Sequence, residues 1–244
     1  EAEAGLQARR ILNNPDYRPV FYATINVTGH FLMLYALALE WLANNIYALR
    51  LMSVLFGLAG VVAAYLFGRE LRGPRFGLAL AFFMAVARWP INFRRIAMTG
   101  IDTPFFAFLS LFFLVRLLKR GRLRDALWAG LTLGLGLMFY TAFRLFVLAL
   151  VLFGLVVMIR WAPRLVYAFG QRGWRCYPGA GAMLLLATGL VVMPLVQFGL
   201  ANPEAFWYLT RQISIFTKRD TAHLSTALWQ STQQHLLMFN FKGD

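Results

Sequence analysis

Acidic residues are scarce in this chain: ten Asp and Glu stand against 24 Lys and Arg, for a formal net charge of +14. Charged residues of both signs together make up only 14% of the 244 positions. Cysteine is rarer still. The single Cys176 excludes an internal disulfide framework, and it has no metal-ligand partner nearby in the sequence. There is no phosphate-binding glycine loop, no HExxH and no paired CxxC, which removes the commonest signatures of soluble nucleotide and metal enzymes. The three histidines, His30, His223 and His235, are scattered, and each taken alone reads as structural. The basic excess forms no continuous stripe, so it does not point to nucleic acid.

What the chain has in abundance is apolar length. Hydrophobic residues are 60% of it and aromatic residues 16%. Several runs reach or approach the roughly 20 apolar residues that span a bilayer, so the composition predicts an all-α integral membrane protein, a polytopic helix bundle. Residues 1–45 read as an extramembrane loop with juxtamembrane helices. "GLQARRIL" continues as a helix, and the run from His30 to Ala43 is too short to cross and carries Glu40, which suits a helix lying at the interface. Six crossings follow within 46–200: Ile46–Gly68, Phe76–Trp89 ended by Pro90, Asp102–Leu118, Ala126–Tyr140, Leu145–Ile159 and Gly181–Leu200. Residues 91–101 read as a loop, and 201–244 as a further segment on the same side. Gly130 and Gly134 form a GxxxG pair suited to close helix packing, and Gly57 and Gly60 sit in the first span. A start at Glu1 without methionine, and an abrupt end at "FNFKGD", read as a fragment of a longer chain; "EAEA" also matches an expression scar.

Loop charge predicts the orientation. The turns at 69–75, 116–125 and 160–175 are short and densely basic, with only Glu70 and Asp125 as acids. Dense basic turns face the cytoplasm by the positive-inside rule. Glu1, Glu3, Asp16, Asp102, Glu204, Asp220 and Asp244 all fall on the opposite, outer face. That face is where the chemistry is expected.

Two patterns on it carry the functional reading. Arg94, Arg95 and Arg144 lie close to the outer interface, and a guanidinium fork matches a phosphate with two charge-assisted hydrogen bonds. For each arginine alone, snorkelling to lipid headgroups is an equal explanation; three on one face, with acids beside them, favour a lipid-phosphate site. The second pattern is carboxylate. Asp102 heads an apolar helix and is followed by Thr103 and Pro104, which fits a helix N-cap; a carboxylate held there also suits a general base or a metal ligand.

These stretches resemble a known clan. "EAEAGLQARRIL" is similar to the first outer loop of the polyprenyl-phosphate-sugar glycosyltransferases of the GT-C fold, the group of protein O-mannosyltransferases and lipid A aminoarabinose transferases. "LRLMSVLFGLAGVVAAYLFGRELRGPRFGLALAFFMAV" resembles their second and third spans, "INFRRIAMTGIDTPFFAF" their second outer loop, and "AGLTLGLGLMFYTAFRLFVLALVL" a Gly-rich span with its aromatic turn and arginine. The resemblance implies an inverting glycosyltransferase of the bacterial inner membrane. It would move a sugar from a polyprenyl-phosphate donor to a lipid, glycan or protein acceptor at the outer face. It places Glu1 on the Glu of an Asp-Glu-Ala motif whose Asp, the expected catalytic base, would precede the first residue. Glu3 is a weaker match one turn on, and Asp102 matches the second-loop acid. Arg94, Arg95 and Arg144 fall where basic residues meet the donor phosphate, and Trp89, Phe93 and Tyr140 are candidates for lining the groove. A divalent cation at the phosphate remains open as a cofactor, as do the sugar and the acceptor. The competing reading is a polytopic transporter or lipid flippase without glycosyl transfer. Such folds carry internal repeats and mid-membrane charges, and neither is evident here. A third reading, a non-catalytic scaffold, gives no reason for acids to collect on one face.

Overall fold

The structure is a computed structural model, and it describes residues 2–14, 16–22, 27–42, 46–95, 100–171 and 176–213, with 229, 232 and 233. The chain is helical throughout these residues apart from one short ladder. In order come α1 (Ala2–Asn13), β1 (Phe21–Tyr22), β2 (Val27–Thr28), α2 (Gly29–Trp41), α3 (Ile46–Arg72), α4 (Pro74–Val86), α5 (Arg88–Arg95), α6 (Asp102–Arg120), α7 (Leu123–Phe139), α8 (Phe143–Gln171), α9 (Cys176–Ala201) and α10 (Pro203–Ile213). β1 and β2 pair antiparallel over two residues, Phe21 with Thr28 and Tyr22 with Val27.

Short connections make the long helices alternate in direction. One residue, Gly73, separates α3 from α4, and Pro74 starts α4 where its missing N–H has no partner to lose. Near this turn the α3 and α4 backbones nearly touch: a Cβ on Gly68 would come within 2.8 Å of Gly77 Cα. α6 runs parallel to α3, with the Phe105 backbone beside Gly60 and Lys119 donating to the Glu70 carbonyl. α7 returns and lies along α9 in the same direction. The GxxxG pair does here what its spacing predicts. A Cβ on Gly130 would stand 2.4 Å from the Leu184 carbonyl oxygen, and one on Gly134 would stand 2.7 Å from Val191 Cβ. At that close approach Thr188 Oγ1 donates across to the Gly130 carbonyl at 3.0 Å.

The bundle therefore has two ends. One gathers the α3–α4, α6–α7 and α8–α9 connections. The other gathers α1, the ladder, α2, α5, the start of α6, the α7–α8 turn and α10. The core is densest towards this second end, where Phe31, Tyr35, Phe106, Phe139 and Phe143 are buried together and ring centroids lie 4.5 Å (Phe31–Tyr35) and 4.9 Å (Phe106–Phe139) apart. Tyr35 pairs its hydroxyl with Ser53 Oγ at 3.0 Å, so the buried polar tip is satisfied.

The outer surface of the long helices is apolar. Leu145, Leu148, Leu152, Phe153 and Val156 on α8, and Leu185, Leu186, Leu190 and Met193 on α9, are exposed. Continuous apolar surface of this extent marks contact with something other than water, and in a chain of this composition that is lipid. By length and composition α3 and the stretch 178–201 of α9 are each sufficient to cross a membrane, with shorter apolar stretches in α4 and at 143–157 of α8.

Two expectations are corrected. Residues 91–95, read as loop, belong to helix α5, and Pro90 does not end a span. It sits third in α5, inside the first turn, where helix N–H groups lack intrahelical acceptors and a proline costs little. The helix before it, α4, already stops at Val86. α2 packs one face on the bundle, with Phe31, Leu32 and Tyr35 fully buried.

Candidate functional site

The six residues singled out by sequence part company here. Glu1 lies outside the described residues. Glu3 is exposed on α1 and is engaged locally: it accepts from Gln7 Nε2 at 3.1 Å and from the Tyr22 hydroxyl at 3.3 Å. Gln7 also donates to the Tyr22 hydroxyl at 2.5 Å and accepts from the Tyr17 hydroxyl at 3.1 Å. This network ties α1 to the β1 ladder, and no described contact joins it to Asp102. Arg94 has its backbone in α5, while its side chain lies outside what is described. Arg95 ends α5 and is exposed.

Asp102 and Arg144 are different. Asp102 is the first residue of α6 and is fully buried. It is not the N-cap; Ile101 is, and the carboxylate instead turns back to accept from the Gly100 N–H through Oδ1 at 3.0 Å. The reason is Gly100, whose φ of +105° bends the chain so that its N–H points at the side chain two residues on. The second oxygen, Oδ2, is buried and has no hydrogen-bond partner among the described residues. A negative group at the start of α6 sits favourably on the helix dipole, yet one dipole and one N–H leave half of the carboxylate's acceptor capacity open.

Across from it stands the α7–α8 corner. Tyr140 follows the end of α7, and its ring lies 3.2 Å from where a side chain on Gly100 would begin, which explains why glycine is needed there for space as well as for φ. Burial, and after it the nearby Asp102 carboxylate, pushes the Tyr140 hydroxyl above its ordinary pKa of 10.0. One turn later Arg144 is the second residue of α8, half-buried, with its guanidinium 4.6 Å from the Phe206 ring centroid and Nη2 buried without an acceptor among the described residues. A cation at a helix N-terminus opposes the dipole. Arg144 therefore sits where an anion would offset both its desolvation and the α8 end.

Two more polar groups at this end went unrecognised in the sequence. His30, in the first turn of α2, has Nδ1 buried and unpartnered, and its ring lies 6.4 Å from that of Phe139. Burial holds its pKa below the ordinary 6.5, so the imidazole is neutral at physiological pH. Thr103 Oγ1, next to Asp102, is also buried without a partner. Neither carried a signal: a lone histidine and a threonine after an aspartate are common, and only the fold brings them to one end. Beside them Thr28 donates to the Phe139 carbonyl at 2.9 Å and fixes the ladder against the corner.

Among the described residues no three His, Cys, Asp or Glu side chains gather as a metal site. Asp102 alone is a poor cage for a divalent cation, which wants several oxygen ligands.

The opposite end holds its charges in pairs. Arg116 Nε lies 3.1 Å from Asp125 Oδ1, an ion pair whose angle falls short of a hydrogen bond, and Arg120 Nη2 reaches Glu70 Oε1 and Oε2 at 3.0 and 2.9 Å. Asp125 Oδ2 also lacks a hydrogen-bond partner among the described residues, but its carboxylate faces Arg116, whereas no opposite charge among the described residues stands beside Asp102 or Arg144.

Compared with known proteins, residues 29–193 match the model of one family, described as dolichyl-phosphate-mannose-protein mannosyltransferase. No curated protein and no solved structure gives a significant match. The matched stretch runs from the first turn of α2 into α9 and contains His30, Asp102, Tyr140 and Arg144. With well over half of its length in that match, an all-helical body and lipid-facing apolar surfaces, the chain belongs to the dolichyl-phosphate-mannose-protein mannosyltransferase family and is a membrane glycosyltransferase of the GT-C type.

Proposed function

We propose that this glycosyltransferase takes its sugar from a polyprenyl-phosphate donor and passes it, with inversion, to a lipid, glycan or protein acceptor at the outer face of a bacterial inner membrane. On this reading the six long helices α3, α4, α6, α7, α8 and α9 cross the bilayer, and the end that carries Asp102 and Arg144 faces outward. The dense basic turns at the other end support that orientation.

One observation carries the site: a buried carboxylate oxygen and a buried guanidinium nitrogen, both without partners, at the same end of the bundle. The reaction needs those two kinds of group. An acceptor hydroxyl oxygen attacks the anomeric carbon from the side opposite the phosphate, and its proton passes to a carboxylate. The bond from the anomeric carbon to the phosphate oxygen breaks, and the electron pair leaves with the phosphate, whose growing charge an arginine stabilises. Arg144 takes the phosphate role and Asp102 the carboxylate role at this end, with Glu1 and Glu3 as candidate acids on the adjoining loop. Arg94 and Arg95 on α5 take the part of further basic contacts for the donor in this reading. A divalent cation beside the phosphate stays open.

The test is transfer from a polyprenyl-phosphate-linked sugar by the full-length protein in vesicles. Asp102→Asn and Arg144→Gln should each lower the rate by on the order of 100-fold or more, the scale for losing one preorganised charge-stabilising group, with expression intact. Wild-type turnover in both variants would remove the site from this end.

A further inference from the structure

Arg144 stands on an aromatic face. Its guanidinium carbon lies 4.6 Å from the centroid of Phe206, well inside cation–π range. Phe206 is 62 residues further along the chain, on α10, and it is tightly placed. Its ring lies 5.3 Å from Phe21 of β1, which is itself 5.8 Å from Phe198 near the end of α9. Its N–H donates to the Asn202 carbonyl at 3.0 Å, and a side chain on Gly199 would begin only 3.4 Å from the ring. The end of α9, the ladder and α10 together fix this ring.

We infer that Phe206 is a positioning residue for the donor phosphate, holding the Arg144 guanidinium over its ring face without spending its N–H fork on an acid. The inference rests on the donor-phosphate reading above. A guanidinium offers five donors, all in its plane. An acid that oriented it would occupy two of them and neutralise the charge. A ring beneath the plane orients the group and takes none. Arg116 shows the contrast within the same molecule: it too lies over rings, 5.2 Å from Phe112 and 6.0 Å from Phe113, but Asp125 is 3.1 Å from its Nε. Among the described residues Arg144 has the ring without an acid, and its Nη2 is the atom left open.

The experiment measures binding of decaprenyl phosphate, and of decaprenol as the uncharged control, to the full-length protein in nanodiscs. Phe206→Leu keeps apolar bulk and removes the ring face. It should weaken decaprenyl phosphate binding by about fivefold to tenfold, the span of a partly desolvated cation–π contact, and leave decaprenol binding unchanged. Phe206→Trp should bind decaprenyl phosphate as the wild type does. In an Arg144→Lys background, whose ammonium has no plane to hold, Phe206→Leu should add little further loss. Wild-type phosphate affinity in Phe206→Leu, alongside weakened binding in Arg144→Gln, overturns the role of Phe206 alone. So does equal loss of phosphate and alcohol binding, or loss in Phe206→Trp, since both would mean packing rather than positioning. Unchanged phosphate binding in Arg144→Gln overturns the donor-phosphate reading and this inference with it.

Discussion

The two ends of this bundle treat charge in opposite ways. At the end of the tight basic turns, Asp125 is buried beside Arg116, and the Glu70 carboxylate is gripped by Arg120 while Lys119 donates to the Glu70 backbone carbonyl. Each acid there meets a cation from a neighbouring helix, so the charges link α3 to α6 and α6 to α7. At the other end Asp102 is just as buried but finds one backbone N–H, and Arg144 finds one aromatic ring. Pairing is how a protein makes buried charge tolerable for its own sake. Leaving complementary charges open at one end only is what a ligand site requires, and it is expected to cost stability there.

That contrast is broken or sharpened most strongly by exchanging the two buried aspartates for neutral groups. Asp125→Ala removes one partner of a buried pair and strands the Arg116 guanidinium, whose side chain is 21% exposed. A loss of about 3 kcal/mol, at the low end for breaking a buried pair, is expected. Asp102→Asn takes away a charge that has no ionic partner among the described residues, and should leave stability unchanged or raise it while abolishing transfer. Thermal unfolding of both variants in the same detergent checks the pair. Equal destabilisation by the two would mean that Asp102 is also structural and that the ends do not differ in kind.

A smaller effect tests the more exposed link. Arg120 is 38% exposed and Glu70 16%, so water screens their attraction. Glu70→Gln should cost no more than about 1 kcal/mol, the ceiling for such a pair near water. The same unfolding measurement decides it. A loss as large as that of Asp125→Ala would show that the α3–α6 link matters as much as the buried α6–α7 one.

Much of the fold was legible in the residues. Apolar runs bounded by basic turns located the long helices, and Gly130 and Gly134 announced a close crossing because that spacing puts two bare backbone patches on one helix face. What failed was local chemistry whose outcome depends on distant parts. Pro90 read as a stop, but a proline is harmless in a first turn, and where that turn lay was not visible from its neighbours. Asp102 read as a cap, but the left-handed Gly100 drew its carboxylate backwards, and the space that a side chain at 100 would need is taken by Tyr140 forty residues on. The pairing of Asp125 with Arg116 was hidden for the same reason: the two were counted as loop charges, and only the α6–α7 hairpin brings them together. Arg144 was found as a cation beside apolar spans, whereas its contact with Phe206 needed α10 folded back on the corner. His30 had nothing in sequence to set it apart.

His30 supplies the finest test of the open end. Its ring is largely enclosed, Nδ1 has no acceptor, and desolvation depresses its pKa from the ordinary 6.5. The sign follows from linkage. The unfolded chain takes up a proton near pH 6.5 while the folded chain resists it, so the contribution of this group to stability is complete above about pH 6.5 and is lost as pH falls towards the lower folded value. The unfolding temperature of the wild type should therefore drop further between pH 7.5 and 5.5 than that of His30→Gln, which has nothing to protonate. If the wild type gained stability over that range relative to the variant, the imidazolium would have an anionic partner in the folded protein. The charges at this end would then already be paired, and the contrast between the two ends would fail at its most sensitive point.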